Sequence, residues 1–252
     1  LVTDNTTDLN CDTPWGGYLD IFGTFGPRYG TIPGLEGDST YWNFTSLGAD
    51  TEYYGEAIPG TPTFTSDGYM YMYGWDGNWW NWTYQNFPDP TLPNGILAHW
   101  MRDTVIVYDE VENKGVTGVT FTNGAWVAEF DDVYDWSDQS LTMDYQVWGY
   151  SGVDQELTSP DFAIAFDNVV GDWGTEGVVG LENIEGTIGT TYSYNDWSPS
   201  SGDIICFDFS QAGADPVVIT FDVMVDTTDE VEITNTVNHT ANGLGMREEE
   251  AS

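Results

Sequence analysis

Short alternations of apolar and polar residues, broken by glycine and proline, run through most of this chain. Tyr69, Tyr71 and Tyr73 alternate with Met70 and Met72. A period of two places the tyrosines on one face of a strand and the methionines on the other. Asp76-Gly77 marks a turn, because glycine takes positive φ at little cost. Trp80, Trp82 and Tyr84 then resume the alternation, which predicts a hairpin. Pro88, Pro90 and Pro93 oppose ladder pairing and predict an extended loop over 87–95. Ile96, Leu97, Ala98 and Trp100 follow as an apolar segment entering the core.

The same reading extends along the chain. Residues 1–14 are polar and read either as a frayed terminus or as a strand exchanged with a neighbouring subunit. Residues 15–25 are apolar and β-prone, 41–44 form a short strand, and 48–63 an irregular connection. Strands are predicted over 104–108, 116–121 and 125–130, with Asn123-Gly124 as a two-residue hairpin signal. Leu141, Met143, Tyr145 and Val147 alternate with Thr142, Asp144 and Gln146, as in a half-buried strand. Residues 162–166, 178–181, 187–194 and 204–209 continue the pattern, and no helical period stands out. The expected fold is an all-β, antiparallel β-sandwich of the jelly-roll or Ig-like kind, with a C-terminal β extension. Its divisions are an N-terminal segment over 1–14, a sandwich over 15–210 and closing strands over 211–252. In that last segment Ile219, Phe221, Val223 and Val225 oppose Thr220, Asp222 and Asp226, and residues 231–237 form a further strand. The segment is too short for a full Ig-like domain, so it either completes the sandwich or leaves a sheet with an open edge that invites another copy's strand.

Several motifs carry a family resemblance. Ser66-Asp67-Gly68-Tyr69 is followed by Phe87-Pro88, Pro93-Asn94-Gly95, Ile96-Leu97-Ala98, Trp100 and Asp103. Trp126-Val127-Ala128-Glu129-Phe130, Tyr145-Gln146-Val147-Trp148 and Val179-Gly180-Leu181-Glu182-Asn183 come next, in that order. Together they resemble the nidogen-like β-sandwich domains of surface proteins, over roughly residues 15–210; Arg102-Asp103 stands where two acids are common. Asp215-Pro216-Val217 through Asp226, then Ile233-Thr234-Asn235-Thr236-Val237, resembles the closing strands of small Ig-like repeats in prokaryotic surface proteins, which often follow such a sandwich. The resemblance implies a cell-surface role.

Charge narrows the partners. The 252 residues hold 42 acids and four bases, Arg28, Arg102, Lys114 and Arg247, for a net charge of −38. Such a surface repels nucleic acid and anionic lipid. It also repels itself, so the fold needs salt, bound Ca²⁺ or acidic surroundings, and charge alone leaves all three open. No apolar run is long enough to insert in a membrane. Leu1 in place of Met is the mark expected of a processed chain whose leader has been removed. Cys11 and Cys206 are the only cysteines. In an extracellular chain they predict a disulfide stabilising by roughly 4–5 kcal/mol, the alternative being two buried thiols.

Candidate chemistry is sparse. His99 lies in an apolar segment and His239 follows a strand; neither has a nucleophile elbow or cysteine partner, so both read as packed or solvated. Glu129 and Glu182, in apolar strand contexts, are the pair a glycosidase reading would choose, against edge or loop carboxylates as the simpler account. Asp131, Asp132, Asp135 and Asp138 offer oxygen ligands for Ca²⁺, or form a solvated acidic loop. Trp75, Trp79, Trp80 and Trp82, beside Asn78 and Asn81, form either a sugar-stacking platform or core and interface packing. Asn5, Asn43, Asn81 and Asn238 head glycosylation sequons. The expectation is a non-enzymatic extracellular structural subunit, a filament or surface-layer protein joined to copies of itself by strand exchange. A glycan-binding adhesin is the alternative, and a secreted glycoside hydrolase the third.

Overall fold

The computed structural model describes residues 2–4, 11–25, 37–44, 52–58, 61–74, 84–109, 111–112, 114–121, 124–150, 160–209, 235–241 and 244–251. Two antiparallel sheets pack against each other. The first runs β1 (Val2–Asp4), β15 (Ile204–Phe207), β12 (Phe162–Val170), β11 (Thr142–Tyr150), β10 (Ala125–Asp135) and β8 (Thr104–Val105), with β9 (Gly115–Thr120) also pairing β10. The second runs β14 (Gly189–Tyr194), β13 (Val178–Glu182), β7 (Ile96–Met101), β6 (Tyr69–Tyr71), β5 (Thr63–Thr65) and β2 (Tyr41–Asn43). Two further two-stranded sheets are β3 (Glu52–Tyr53) with β4 (Glu56–Ala57), and β16 (Asn235–Ala241) with β17 (Leu244–Ala251). The chain forms two compact units, Leu1–Phe209, which holds the sandwich, and Ser210–Ser252, which holds the β16–β17 hairpin.

The alternation of aromatic and aliphatic residues builds the core. Met70, Leu97, Val179 and Leu181 of the second sheet meet Ala128, Phe130, Met143, Tyr145, Val147, Ile164 and Ile205 of the first. Tyr69 and Tyr71 point the other way and pack with Phe87, Ile96, Ala98 and Val178. The proline-rich loop after residue 84 thus covers the outer face of the second sheet. Burying large apolar side chains on both faces supplies the main stabilisation, at about 25 cal/mol per Å².

The outer face of the first sheet is covered as well, which corrects the expectation of a half-buried β11. Val127, Trp148, Ala163, Ala165 and Ile204 on that face pack against Cys11 and Ile21. The covering segment is not a strand. Residues 21–25, expected to be extended, form a short helix α1 (Ile21–Phe25) with Ile21 and Phe22 buried. Asp20 starts it, since its side chain accepts from the Gly23 amide and its carbonyl accepts from the Thr24 amide at 2.9 Å. A carboxylate of the sheet takes the remaining free amides. Glu129, fully buried, accepts from Ile21 N–H at 3.0 Å, Phe22 N–H at 3.1 Å, the Tyr18 hydroxyl at 2.8 Å and Gln146 Nε2 at 2.9 Å. First-turn amides have no partner within a helix, so this one acid makes the turn affordable at that position. Cys11 and Cys206 form the predicted disulfide, which pins the same segment to β15.

Candidate functional site

Strand edges and converged carboxylates are the features with functional content. At one edge of the first sheet, β1 adds to β15 with Thr3 opposite Cys206. Its Asp4 side chain accepts from the Tyr192 hydroxyl of β14 at 2.7 Å, tying the two sheets together. The second sheet ends in β14 and β2. Asn43, a glycosylation candidate, is exposed on β2, where its Oδ1 accepts from Thr63 Oγ1 at 2.8 Å. In the other unit, β16 and β17 pair from Asn235 opposite Ala251 to Ala241 opposite Leu244, and among the described residues no third strand joins them. Asn238 lies on β16, while Glu248, Glu249 and Glu250 lie on β17.

The acids sort into groups that sequence spacing does not show. Between Phe130 and Val133 the β10 ladder slips, so that Asp131 and Asp132 face the single stretch of β11 around Asp144. This β-bulge, with Asp132 at φ 51°, brings oxygens of Asp131, Asp132 and Asp144 within 4.8 Å of one another. Asp20, Glu129 and Asp131 form an adjoining group. Burial, then the charges of Asp144 and Glu129, pushes Asp131 up to about 8. Positive charge is already present, since Lys114 Nζ lies 3.3 Å from Asp132 and 3.1 Å from Glu112. The Asp132 amide donates to Asp144 Oδ1 at 2.7 Å.

Asp135 and Asp138, grouped with Asp131 and Asp132 as calcium ligands from sequence, are engaged elsewhere. Asp135 is buried and pairs with Arg102 Nε at 2.7 Å. Its other oxygen accepts from Ser137 and from the Asp138 amide. Burial raises its pKa, but these hydrogen bonds and the guanidinium outweigh it and hold the group below its ordinary value. Asp138 turns to Ser140 within its own turn. Arg102 also donates to the carbonyls of Trp173 at 2.5 Å and Glu176 at 2.7 Å, and lies 5.3 Å from the Trp173 ring. It therefore joins the end of β7 to β10 and to the 171–177 loop. Arg102→Ala, which leaves Asp135 buried and unpaired, is expected to lower unfolding free energy by roughly 3–5 kcal/mol, measured by urea titration. A loss under about 1 kcal/mol contradicts this assignment.

Glu129 and Glu182 do not form a catalytic pair. Ala128 and Phe130 face the core from the first sheet, as Val179 and Leu181 do from the second. By alternation the two glutamates lie on opposite outer faces, with the whole core between them. Glu182 Oε2 accepts from the Asp89 amide at 2.9 Å, and burial lifts the group to about 7. His99 is buried among Phe64, Phe130 and Tyr145, and burial lowers it to about 3. Trp75, Trp79, Trp80, Trp82, Asn5 and Asn81 lie outside the described residues, as do the side chains of β16 and β17.

A third group was not singled out from sequence: Asp38, Asp67 and Asp103 each place an oxygen within 4.8 Å of the others. They are far apart in the chain and meet only because three loops converge. Only Asp67 and Asp103 fall within the resemblance motifs. Comparison with family models, with curated proteins and with solved structures finds no match to this chain. No helix among the described residues is long and apolar enough to cross a membrane.

Proposed function

We propose that this chain is a non-enzymatic extracellular structural subunit that assembles with copies of itself through open strand edges. The β16–β17 hairpin carries the reading. Among the described residues it is a two-stranded sheet of seven- and eight-residue strands in its own compact unit. A two-stranded ribbon is marginal alone in water and presents unpaired donors and acceptors along both sides. A strand from another copy satisfies those groups by β-augmentation. The N-terminal end supplies an example of such a short added strand, since β1 docks by three residues on the edge of β15. The disulfide is compatible with an oxidising, extracellular setting. The acidic exterior keeps assemblies from clumping and makes assembly sensitive to cations.

The test is negative-stain microscopy and sedimentation of the full chain, with and without Ca²⁺, beside a Val237→Pro variant. Filaments or sheets from the wild-type chain, and monomers with an unchanged sandwich melt from the variant, are expected. Monodisperse wild-type particles under every cation condition overturn the reading.

A further inference from the structure

Asn43 heads the sequence Asn43-Phe44-Thr45, and alternation along β2 sorts the residues around it. The ring of Trp42 stacks on that of Phe64 at 5.5 Å, and Phe44, 2 % exposed, lies in the core. Tyr41 and Asn43 therefore share the opposite face, and both are exposed. Asn43 Oδ1 accepts from Thr63 Oγ1 at 2.8 Å, which fixes the side-chain amide by its oxygen. Among the described residues no group accepts from its Nδ2.

The same residue lies on an edge. Among the described residues β2 is the last strand of the second sheet. The Ser66 amide donates to the Thr40 carbonyl at 2.9 Å, and the Phe44 amide to the Pro62 carbonyl at 2.8 Å. Residues 40, 42 and 44 are thus in phase to bond toward β5, with Trp42 opposite Phe64. In an antiparallel ladder the intervening residues turn their amides and carbonyls away from that partner. The main chain of Asn43 consequently faces the open side. Exposed edges are commonly guarded by charge or proline. Neither guards this one: residues 39–49 hold no acid, base or proline, in a chain with 42 acids.

We propose that Asn43 carries an N-linked glycan and that this glycan covers the open edge of β2. The donor class is an oligosaccharide joined through phosphate or pyrophosphate to a lipid. Nδ2 bonds to C1 of the first sugar as the bond from C1 to the phosphate oxygen breaks. The phosphate leaves with the lipid, and Nδ2 gives up one of its two protons. The hydroxyl of Thr45 is the sequon element that a transferase reads. Attachment keeps Oδ1, so the bond from Thr63 survives it. Tyr41 precedes Asn43 by two residues on the same face, about 7 Å along the strand. Its ring, on a residue 41 % exposed, gives the first sugar an apolar surface to lie against. A sugar at Asn43 occupies the space that an incoming strand would need, and adds no charge to a chain already at −38. The proposal does not rest on assembly through the β16–β17 hairpin, because occupancy of Asn43 is read from the mass of single chains.

The experiment is peptide mass spectrometry of the chain purified from its own cells. The Asn43 peptide is expected to carry sugar mass increments, with fragment ions placing them on Asn43. Asn43→Gln and Thr45→Ala, made in the same cells, should lose those increments, whereas Thr45→Ser should keep them. Tyr41→Ala should keep the glycan but lose the rise in melting temperature that the glycosylated chain shows over Asn43→Gln. Sedimentation of Val237→Pro, with and without Asn43→Gln, reads the β2 edge apart from the hairpin. The glycosylated chain is expected to stay monomeric and the Asn43→Gln chain to self-associate. An unmodified Asn43 in the native chain overturns the proposal, as does a glycan at Asn43 whose removal leaves self-association unchanged.

Discussion

Acidifying a dilute, low-salt, cation-free solution of this protein from pH 8 to pH 5 is expected to raise its melting temperature by about 10 °C or more. The cause is a set of buried carboxylates that hold their protons more tightly in the folded state than in the unfolded chain. Burial, offset in part by hydrogen bonds from Ile21, Tyr18 and Phe22, lifts Glu129 from 4.5 to about 7. Burial also lifts Glu182 to about 7 and Asp161 to about 6, and burial with neighbouring charge lifts Asp131 to about 8. An acid with a raised folded pKa destabilises above that pKa. As pH falls toward the unfolded value, the folded state binds the extra proton and stability rises. For Glu129 alone the change is roughly 3 kcal/mol. A sandwich of this size gains about 2–4 °C per kcal/mol, so Glu129 and its neighbours together account for the rise. His99 acts in the opposite direction. Burial lowers it from 6.5 to about 3, so the unfolded chain takes a proton that the folded one refuses as pH drops through that window. Stability therefore peaks at about pH 3.5–4, where the carboxylates of the unfolded chain have also taken up their protons, rather than climbing indefinitely. Calorimetry across pH 3–9 measures this, and molar salt should flatten the curve by screening the exposed charges. A melting temperature that stays flat or rises from pH 5 to 8 refutes the account.

Gly68→Ala is expected to cost about 4 kcal/mol or more, enough to leave little folded protein at 37 °C. Gly68 has φ +72°, which costs an L-residue about 1 kcal/mol. The larger penalty comes from contact. A Cβ there would lie 1.6 Å from the Trp100 carbonyl oxygen, which is backbone and cannot rotate away. The Gly68 carbonyl also accepts from the amides of His99 and Trp100 at 3.0 and 2.9 Å, so moving the turn breaks the end of the buried strand β7. Gly174→Ala is the control. Its φ is +63°, but an added Cβ meets nothing within 4 Å, so only the conformational cost of about 1 kcal/mol applies. Urea titration of the two variants separates strain from collision. Equal losses would mean that the close approach at Trp100 is not what Gly68 protects.

Elements defined by side-chain period were legible in the sequence, and those defined by distant partners were not. The split of Tyr69 and Tyr71 from Met70 and Met72 follows from the two-residue repeat alone, and so does the inward set of Met143, Tyr145 and Val147. The disulfide was legible because the chain has no third cysteine. The helix at Ile21 escaped because five residues show no helical period, and the amides of its first turn are taken by Glu129, 108 residues away. For the same reason β11 looked half-buried, since nothing local reveals that Cys11 and Ile21 cover Trp148. The acids were the hardest to read. Asp131 and Asp132 gained Asp144 as a neighbour through a bulge, and Asp135 went to Arg102, which is 33 residues distant in sequence. With 42 acids present, spacing along the chain carries almost no information about which will meet.

The bond between Cys11 and Cys206 also sets how the molecule carries tension. A pull applied between the first residues and the segment after Phe209 enters at Cys11, crosses to Cys206 and leaves along the chain. The 194 residues between the two cysteines lie outside that path. Under load the sandwich is a passenger on a short covalent tether, and its sheets need not unravel for the connection to hold. Only reduction of one sulfur–sulfur bond would place the hidden length in line and let the molecule extend.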